Sequence, residues 1–119
     1  MVGQGFLTTH ILDTARGCPA AGVKIDLFEL DGETRTKIVS MVTNHDGRTD
    51  APLIAQGELN CGTYELVFGI GAYFKGHVAE SEYPFIDVVP VRFGIDDDSS
   101  HYHVPLLASP FSFSTYRGS

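Results

Sequence analysis

The sequence predicts an all-β sandwich of about eight short strands with one short helix. Apolar and polar residues alternate with the period of two that belongs to strands, and Gly, Pro, Asn and Asp separate the alternating segments at short intervals. One stretch, Ala72 to Glu80, departs from this rhythm: Tyr73, Phe74, His77 and Val78 recur at helical spacing. No internal repeat or linker interrupts the 119 residues, so residues 1–119 are read as a single domain near the commonest domain size.

Phe6 to Asp13 is the first expected strand, with Leu7, Thr9 and Ile11 on one face and Thr8 and His10 on the other. Arg16 to Pro19 reads as a turn, and Gly22 to Leu30 as a strand alternating Val23, Ile25 and Leu27 against Lys24 and Asp26. Lys37 to Thr43 is rich in β-branched residues and runs into Asn44-His-Asp-Gly47, whose Asp-Gly pair suits a tight turn and leaves Arg48 directly after it. Thr63 to Ile70 alternates Tyr64, Leu66, Phe68 and Ile70 against Glu65, Val67 and Gly69, the pattern of a half-buried strand. Phe85 to Ile95 is again a strand, and Pro90 within it points to an edge position or a bulge, because proline has no N–H to donate to a ladder. His101 to Ala108 and Phe111 to Tyr116 complete the set.

Composition excludes several classes of function. A net charge of −7, with 8 Lys and Arg in no run, argues against a nucleic-acid surface. No apolar stretch approaches the roughly 20 residues that span a bilayer, and Met1 to Phe6 does not have the basic-then-apolar pattern of an export signal. The chain reads as cytoplasmic, with no membrane partner. Cys18 and Cys61 lack metal-ligand spacing and are read as free thiols. Asp96 to Ser100 carries three aspartates but neither the glycine nor the closing glutamate of a calcium loop, so it is read as a solvated turn.

Chemistry in a sandwich comes from polar residues on its outer faces and loops. In His101-Tyr-His-Val-Pro-Leu106 the apolar set Tyr102, Val104 and Leu106 leaves His101 and His103 on the opposite face. An isolated strand histidine is ordinarily a surface or satisfied residue, but His10 and His103 share the outward exposure. The His-x-His pair with His10 as a third ligand also fits a metal site, although no carboxylate or cysteine stands beside them as a fourth. In the closing segment, Phe111, Phe113 and Thr115 alternate with Ser112, Ser114 and Tyr116. If the phenylalanines face the core, then Ser114, Tyr116, Arg117 and Ser119 form a polar edge offering hydroxyls, a cation and a terminal anion. The alternative is an ordinary edge strand with a solvated tail.

Beyond pattern, particular residues carry a resemblance. Leu7-Thr-Thr-His-Ile-Leu-Asp-Thr14 with Gly17, Pro19, Ala20 and Gly22, then Asn44-His-Asp-Gly-Arg48, Thr63 to Leu66, Phe85 to Pro90, His101 to Leu107 and the terminal Tyr-Arg-Gly-Ser resemble the transthyretin-like family over nearly the whole chain. The terminal Tyr-Arg-Gly-Ser with the histidines is similar to the 5-hydroxyisourate hydrolase branch rather than to the hormone carriers.

The resemblance implies a transthyretin-like (prealbumin-like) two-sheet sandwich and a homotetramer, a dimer of dimers whose clefts at the dimer–dimer interface are each lined by two subunits. It implies ring opening of 5-hydroxyisourate, a purine-derived small molecule, by hydrolysis of a ring amide to 2-oxo-4-hydroxy-4-carboxy-5-ureidoimidazoline, without cofactor or metal. Its functional positions fall on His10, Arg48, His103 and Ser119 as catalytic residues, with His10, Arg48, Ser114, Tyr116, Arg117 and Gly118 binding substrate. The competing expectation is a carrier using the same cleft, which would call for an apolar lining where histidine, arginine, tyrosine and serine are expected.

Overall fold

The computed structural model describes residues 3–78 and 82–119. Among these described residues ten strands and one helix follow in order: β1 Phe6–Thr8, β2 Ile11–Asp13, β3 Cys18–Pro19, β4 Lys24–Asp31, β5 Thr34–Val42, β6 Gly62–Gly69, α1 Ile70–Lys75, β7 Val88–Ile95, β8 His101–His103, β9 Leu106–Ala108 and β10 Phe113–Thr115. One sheet has the order β5-β4-β6-β7 and is antiparallel throughout. A second has the order β10-β9-β2-β3, and β1 pairs with β8 as a two-stranded extension.

The single expected strand over Phe6 to Asp13 is therefore two, β1 and β2, and that over His101 to Ala108 is also two, β8 and β9. Both pairs run parallel at one unchanged offset, Thr8 beside His103 and Ile11 beside Leu106, so each broken strand keeps its direction and register across the gap. The chain stays joined there: Val104 N donates to Thr8 O at 3.0 Å, Leu106 N to His10 O at 2.9 Å, and the buried Thr9 hydroxyl to Val104 O at 2.7 Å. Pro105, having no N–H, interrupts the ladder toward β10, which resumes where His103 bridges Gly118.

Alternation delivers the core. Leu7, Ile11, Tyr102, Val104, Leu106 and Ala108 from the second sheet meet Ile25, Leu27, Tyr64, Leu66, Phe68, Val89 and Ile95 from the first, all buried. Glu65 lies on the outer face of the first sheet and is nonetheless buried. Arg35 from β5, reaching over β4, and Arg92 from the adjacent β7 flank it at 2.9 and 3.2 Å and neutralise its charge. Among the described residues no buried side-chain nitrogen or oxygen lacks a partner.

Several boundaries differ from the sequence reading. The helix begins at Ile70, two residues before the expected Ala72, because Ile70, Tyr73 and Phe74 bury its inner face, and it ends at Lys75. Ala79 and Glu80, the last two residues of the expected helix, lie outside the described residues. β7 starts at Val88 rather than Phe85, and Phe85 is exposed. Pro90 does lie on an edge strand. Cys18 and Pro19, expected in a turn, pair with Asp13 and Leu12, and both cysteines are free. Phe111 and Phe113 do not fill the core: β10 is the edge of its sheet, and these rings are 76% and 46% exposed.

A buried polar contact locks the helix onto the second sheet. Asp13, only 1% exposed, accepts the Tyr73 hydroxyl at 2.8 Å and the main-chain N–H groups of Ala15 and Arg16. Burial, followed by the hydrogen bond to Asp13, pushes the Tyr73 hydroxyl pKa up to about 12. Tyr73→Phe leaves a buried carboxylate oxygen without its donor, and urea unfolding is expected to show a loss of about 1–3 kcal/mol. Truncation of the fully buried ring in Phe68→Ala is expected to cost about 3–5 kcal/mol in the same measurement.

Candidate active site

The gap between β1 and β2 is also the floor of a cleft, and the segment after β5 forms its wall. Asp46-Gly47 makes the expected tight turn, with Gly47 at φ 75°. A Cβ there would stand 2.4 Å from Ile11 O, and Ile11 N donates to Gly47 O at 2.8 Å, so only glycine lets the turn sit this close to β2. Asn44 braces the turn: its Oδ1 accepts from Asp46 N and Arg48 N, and its main-chain N–H donates to Arg48 O at 2.7 Å. Farther on, Leu53 N donates to Leu7 O and Leu7 N to Ile54 O. Tied at both ends, the segment from Arg48 to Pro52 arches over Thr8 and Thr9.

The open cleft measures about 440 Å³ and is lined by Arg48, Thr49 and Asp50 from the arch, Thr8 and Thr9 from the floor, and His101, His103 and Ser119 on the far side. This volume suits a small heterocycle rather than a polymer. Thr8 Oγ1 lies 2.6 Å from His101 Nε2 and 2.8 Å from His103 Nδ1. Gly118 lies against the His103 ring, whose Cδ2 would be 3.1 Å from any added Cβ, while paired main-chain bonds between His103 and Gly118 hold the tail beside it.

Electrostatics in the cleft disfavour protonated histidine. His103 has its pKa lowered first by burial and then by His101, Arg48 and His10. His10 is also lowered, by burial and then Arg48, with the main chain and carboxylate of Asp46 pulling the other way. Both rings are therefore held neutral at neutral pH, each with a lone pair able to take a proton.

The structure brings Arg48, His103 and Ser119 into one cavity, places His10 within electrostatic range of the first two, and packs Gly118 on His103. Ser114 and Tyr116 do not line this cavity within one chain. Arg117 corrects the expectation that it joins the polar edge. Thr115 pairs with the core-facing Leu106, so alternation turns Arg117 to the inner side, where its guanidinium lies 4.1 Å over the Tyr102 ring. Thr8, Thr49 and Asp50 were not singled out from the sequence. Thr8 carried a usable signal, its outward face shared with His10, whereas Thr49 and Asp50 belong to a loop without periodicity. Among the described residues no group of three or more His, Cys, Asp and Glu is arranged to hold a metal.

Residues 7–118 match the HIUase/transthyretin family. The chain belongs to that family. It is 60% identical to the 5-hydroxyisourate hydrolase of Deinococcus radiodurans over the full length of both proteins. The crystal structure of an (S)-allantoin synthase superimposes with a TM-score of 0.91 at 49% identity over 98% of this chain, which spans 44% of that longer chain. Sea bream transthyretin in complex with thyroxine superimposes with a TM-score of 0.82 at 30% identity, covering 94% of this chain and 93% of its own. The family thus confirms the transthyretin-like sandwich, and the curated relative named a hydrolase matches end to end.

The lowered histidine pKa values predict how stability depends on pH. Above pH 6.5, the ordinary histidine value, these rings are neutral in folded and unfolded chains alike and contribute no difference. Below it the unfolded chain takes up protons first, so stability falls with pH until the folded-state values are reached. Urea midpoints measured from about pH 7.5 down to 5.5 should decline less steeply in a His10→Gln/His103→Gln double variant than in the wild type. An identical decline would show that these rings are not held neutral.

Proposed function

We propose that this protein hydrolyses 5-hydroxyisourate, opening its ring amide to give 2-oxo-4-hydroxy-4-carboxy-5-ureidoimidazoline. The observation that carries this reading is the cleft in which Arg48, His103 and Ser119 converge beside His10, in a chain 60% identical to a 5-hydroxyisourate hydrolase along its whole length. The likeness to a thyroxine-bound transthyretin raises the carrier reading. Against it stands the lining: a carrier gains affinity by burying apolar ligand surface, and this cleft presents two histidines, an arginine, an aspartate and several hydroxyls instead.

In the proposed mechanism neutral His103 takes a proton from water as that water attacks the ring carbonyl. A histidine whose pKa is lowered by burial and by neighbouring cationic groups stays unprotonated at physiological pH and is available to accept a proton in the transition state. Arg48, permanently charged and planar, faces the charge that develops on the carbonyl oxygen and binds the anionic edge of the substrate. His10 orients the water or protonates the departing ring nitrogen. Ser119 hydrogen-bonds the substrate or the water, and Gly118 allows the tail to close on His103. Ser114 and Tyr116 complete the pocket from the outward face of β10. Arg117 holds the tail in place through Tyr102 rather than meeting the substrate in this chain.

The assembly belongs to the same proposal. We infer a homotetramer with active sites at the dimer–dimer interface, supported by the exposed Phe111, Phe113 and Tyr116 along the β10 edge, a patch of the kind that copies of a chain cover mutually. We further propose a single-domain cytoplasmic enzyme that acts on a small molecule without a cofactor; among the described residues no helix is long and apolar enough to cross a membrane.

The test follows the ultraviolet absorbance of 5-hydroxyisourate generated from urate by urate oxidase. Wild-type protein is expected to accelerate decay, chelator to leave the rate unchanged, and His103→Ala to lower kcat by about 10²–10⁴-fold, the range for loss of a general base. Unaccelerated decay with wild type would exclude the hydrolase and leave the cleft as a ligand-binding site. Inhibition by chelator would favour the metal reading of the histidines.

A further inference from the structure

Thr8 stands between two imidazoles. Parallel pairing sets Phe6 beside His101 and Thr8 beside His103 on the outward face of the sheet. Thr8 Oγ1 is 2.6 Å from His101 Nε2 and 2.8 Å from His103 Nδ1, and the Phe6 ring stacks on His101 with centroids 4.0 Å apart and planes 8° from parallel. A hydroxyl has one proton and two lone pairs, so at most one of the two ring nitrogens can accept from it, while either or both can donate to it. Where Thr8 gives its proton to one of the two rings, two arrangements remain, and they differ in what His103 can do.

If Thr8 donates to His103, the neutral His103 ring carries its proton on Nε2 and has no lone pair left for a substrate water. If His103 Nδ1–H donates to Thr8, then Nε2 keeps its lone pair and the Thr8 proton goes to His101 Nε2. The second arrangement also survives when His103 takes up a proton, since its Nδ1–H already points to the hydroxyl. The first would have to reverse both hydrogen bonds during the reaction. We propose that Thr8 is a positioning residue that fixes His103 as the Nδ1–H tautomer, with His101 as the terminal acceptor of the relay. This rests on the reading of His103 as the general base.

The relay also acts on charge. The groups that face His103 are His101 on β8, His10 beyond β1, Arg48 and Asp50 on the arch, and Ser119 on the tail. Burial, His101, Arg48 and His10 lower the pKa of His103. The Thr8 oxygen, itself polarised by donating to His101, accepts from the imidazolium and so opposes that trend.

The closing experiment compares Thr8→Val, which keeps the branched shape without the hydroxyl, with Thr8→Ser, which keeps the hydroxyl. Each is assayed for kcat and KM from about pH 5.5 to 9, alongside ¹⁵N NMR of the His103 ring in the full protein without substrate. Thr8→Val is expected to lower kcat by about 10–100-fold with KM within about twofold, and to move the acidic limb of the profile to lower pH. Thr8→Ser should restore most of both. The spectrum should show the wild-type His103 proton on Nδ1, and loss of that fixed tautomer in Thr8→Val. A wild-type proton on Nε2, or a Thr8→Val protein with unchanged kcat and tautomer, would overturn the proposal. Should wild-type protein fail to hydrolyse 5-hydroxyisourate, the hydrolase reading fails, while the spectrum still decides the tautomer. Should Thr8→Val not fold, the wild-type and Thr8→Ser spectra decide it.

Discussion

The structure depends on one pairing: the segment from Phe6 to Asp13 runs parallel to that from His101 to Ala108 at a single register maintained across a break in both. Side chains alternate across a strand, so a fixed register sorts every residue of both segments to one face or the other. Leu7, Ile11, Tyr102, Val104 and Leu106 go inward and supply one side of the core. Thr8 and His103 then have no alternative to the outward face. A shift of one residue would bury the histidines and expose the leucines, so the apolar burial that stabilises the fold also holds the polar cleft residues in place.

The wall of the cleft is secured by main-chain bonds to that same floor. Gly47 contacts Ile11, and Leu53 and Ile54 contact Leu7, so the arch bearing Arg48 is attached on either side of the histidine-bearing segment. Arg48 is itself exposed, and its placement comes from the Asn44 brace and the close approach of Gly47 rather than from burial of its own side chain. At the other end of β2, Asp13 receives the Tyr73 hydroxyl and fastens the helix to the sheet. The site thus rests on elements whose positions are set by packing and by satisfied buried polar groups.

Much of this was legible in the sequence, in proportion to how local its cause was. Period-two alternation located the strands that contribute the core, the Asp-Gly pair located the turn before Arg48, and Pro90 marked an edge. Errors arose where the deciding contact was distant. The helix starts at Ile70 because Ile70, Tyr73 and Phe74 find a surface to pack on, and that surface is invisible from helical spacing alone. Whether Phe111 and Phe113 face the core was left open by alternation, and both are exposed along the edge that β10 forms. Arg117 read as part of the polar edge, but the register of β10 turns it inward onto Tyr102.

The sequence by itself determined the class of the fold and the outward exposure of His10, His101 and His103, because both follow from the period of side-chain direction along a strand. Tertiary structure alone decided which outward residues meet. Thr8 and His103 are 95 positions apart in the chain and 2.8 Å apart in space, and nothing in either segment specifies the other as its partner. That choice was made by the register in which two apolar faces bury together, a property of the pair of strands and of neither strand alone.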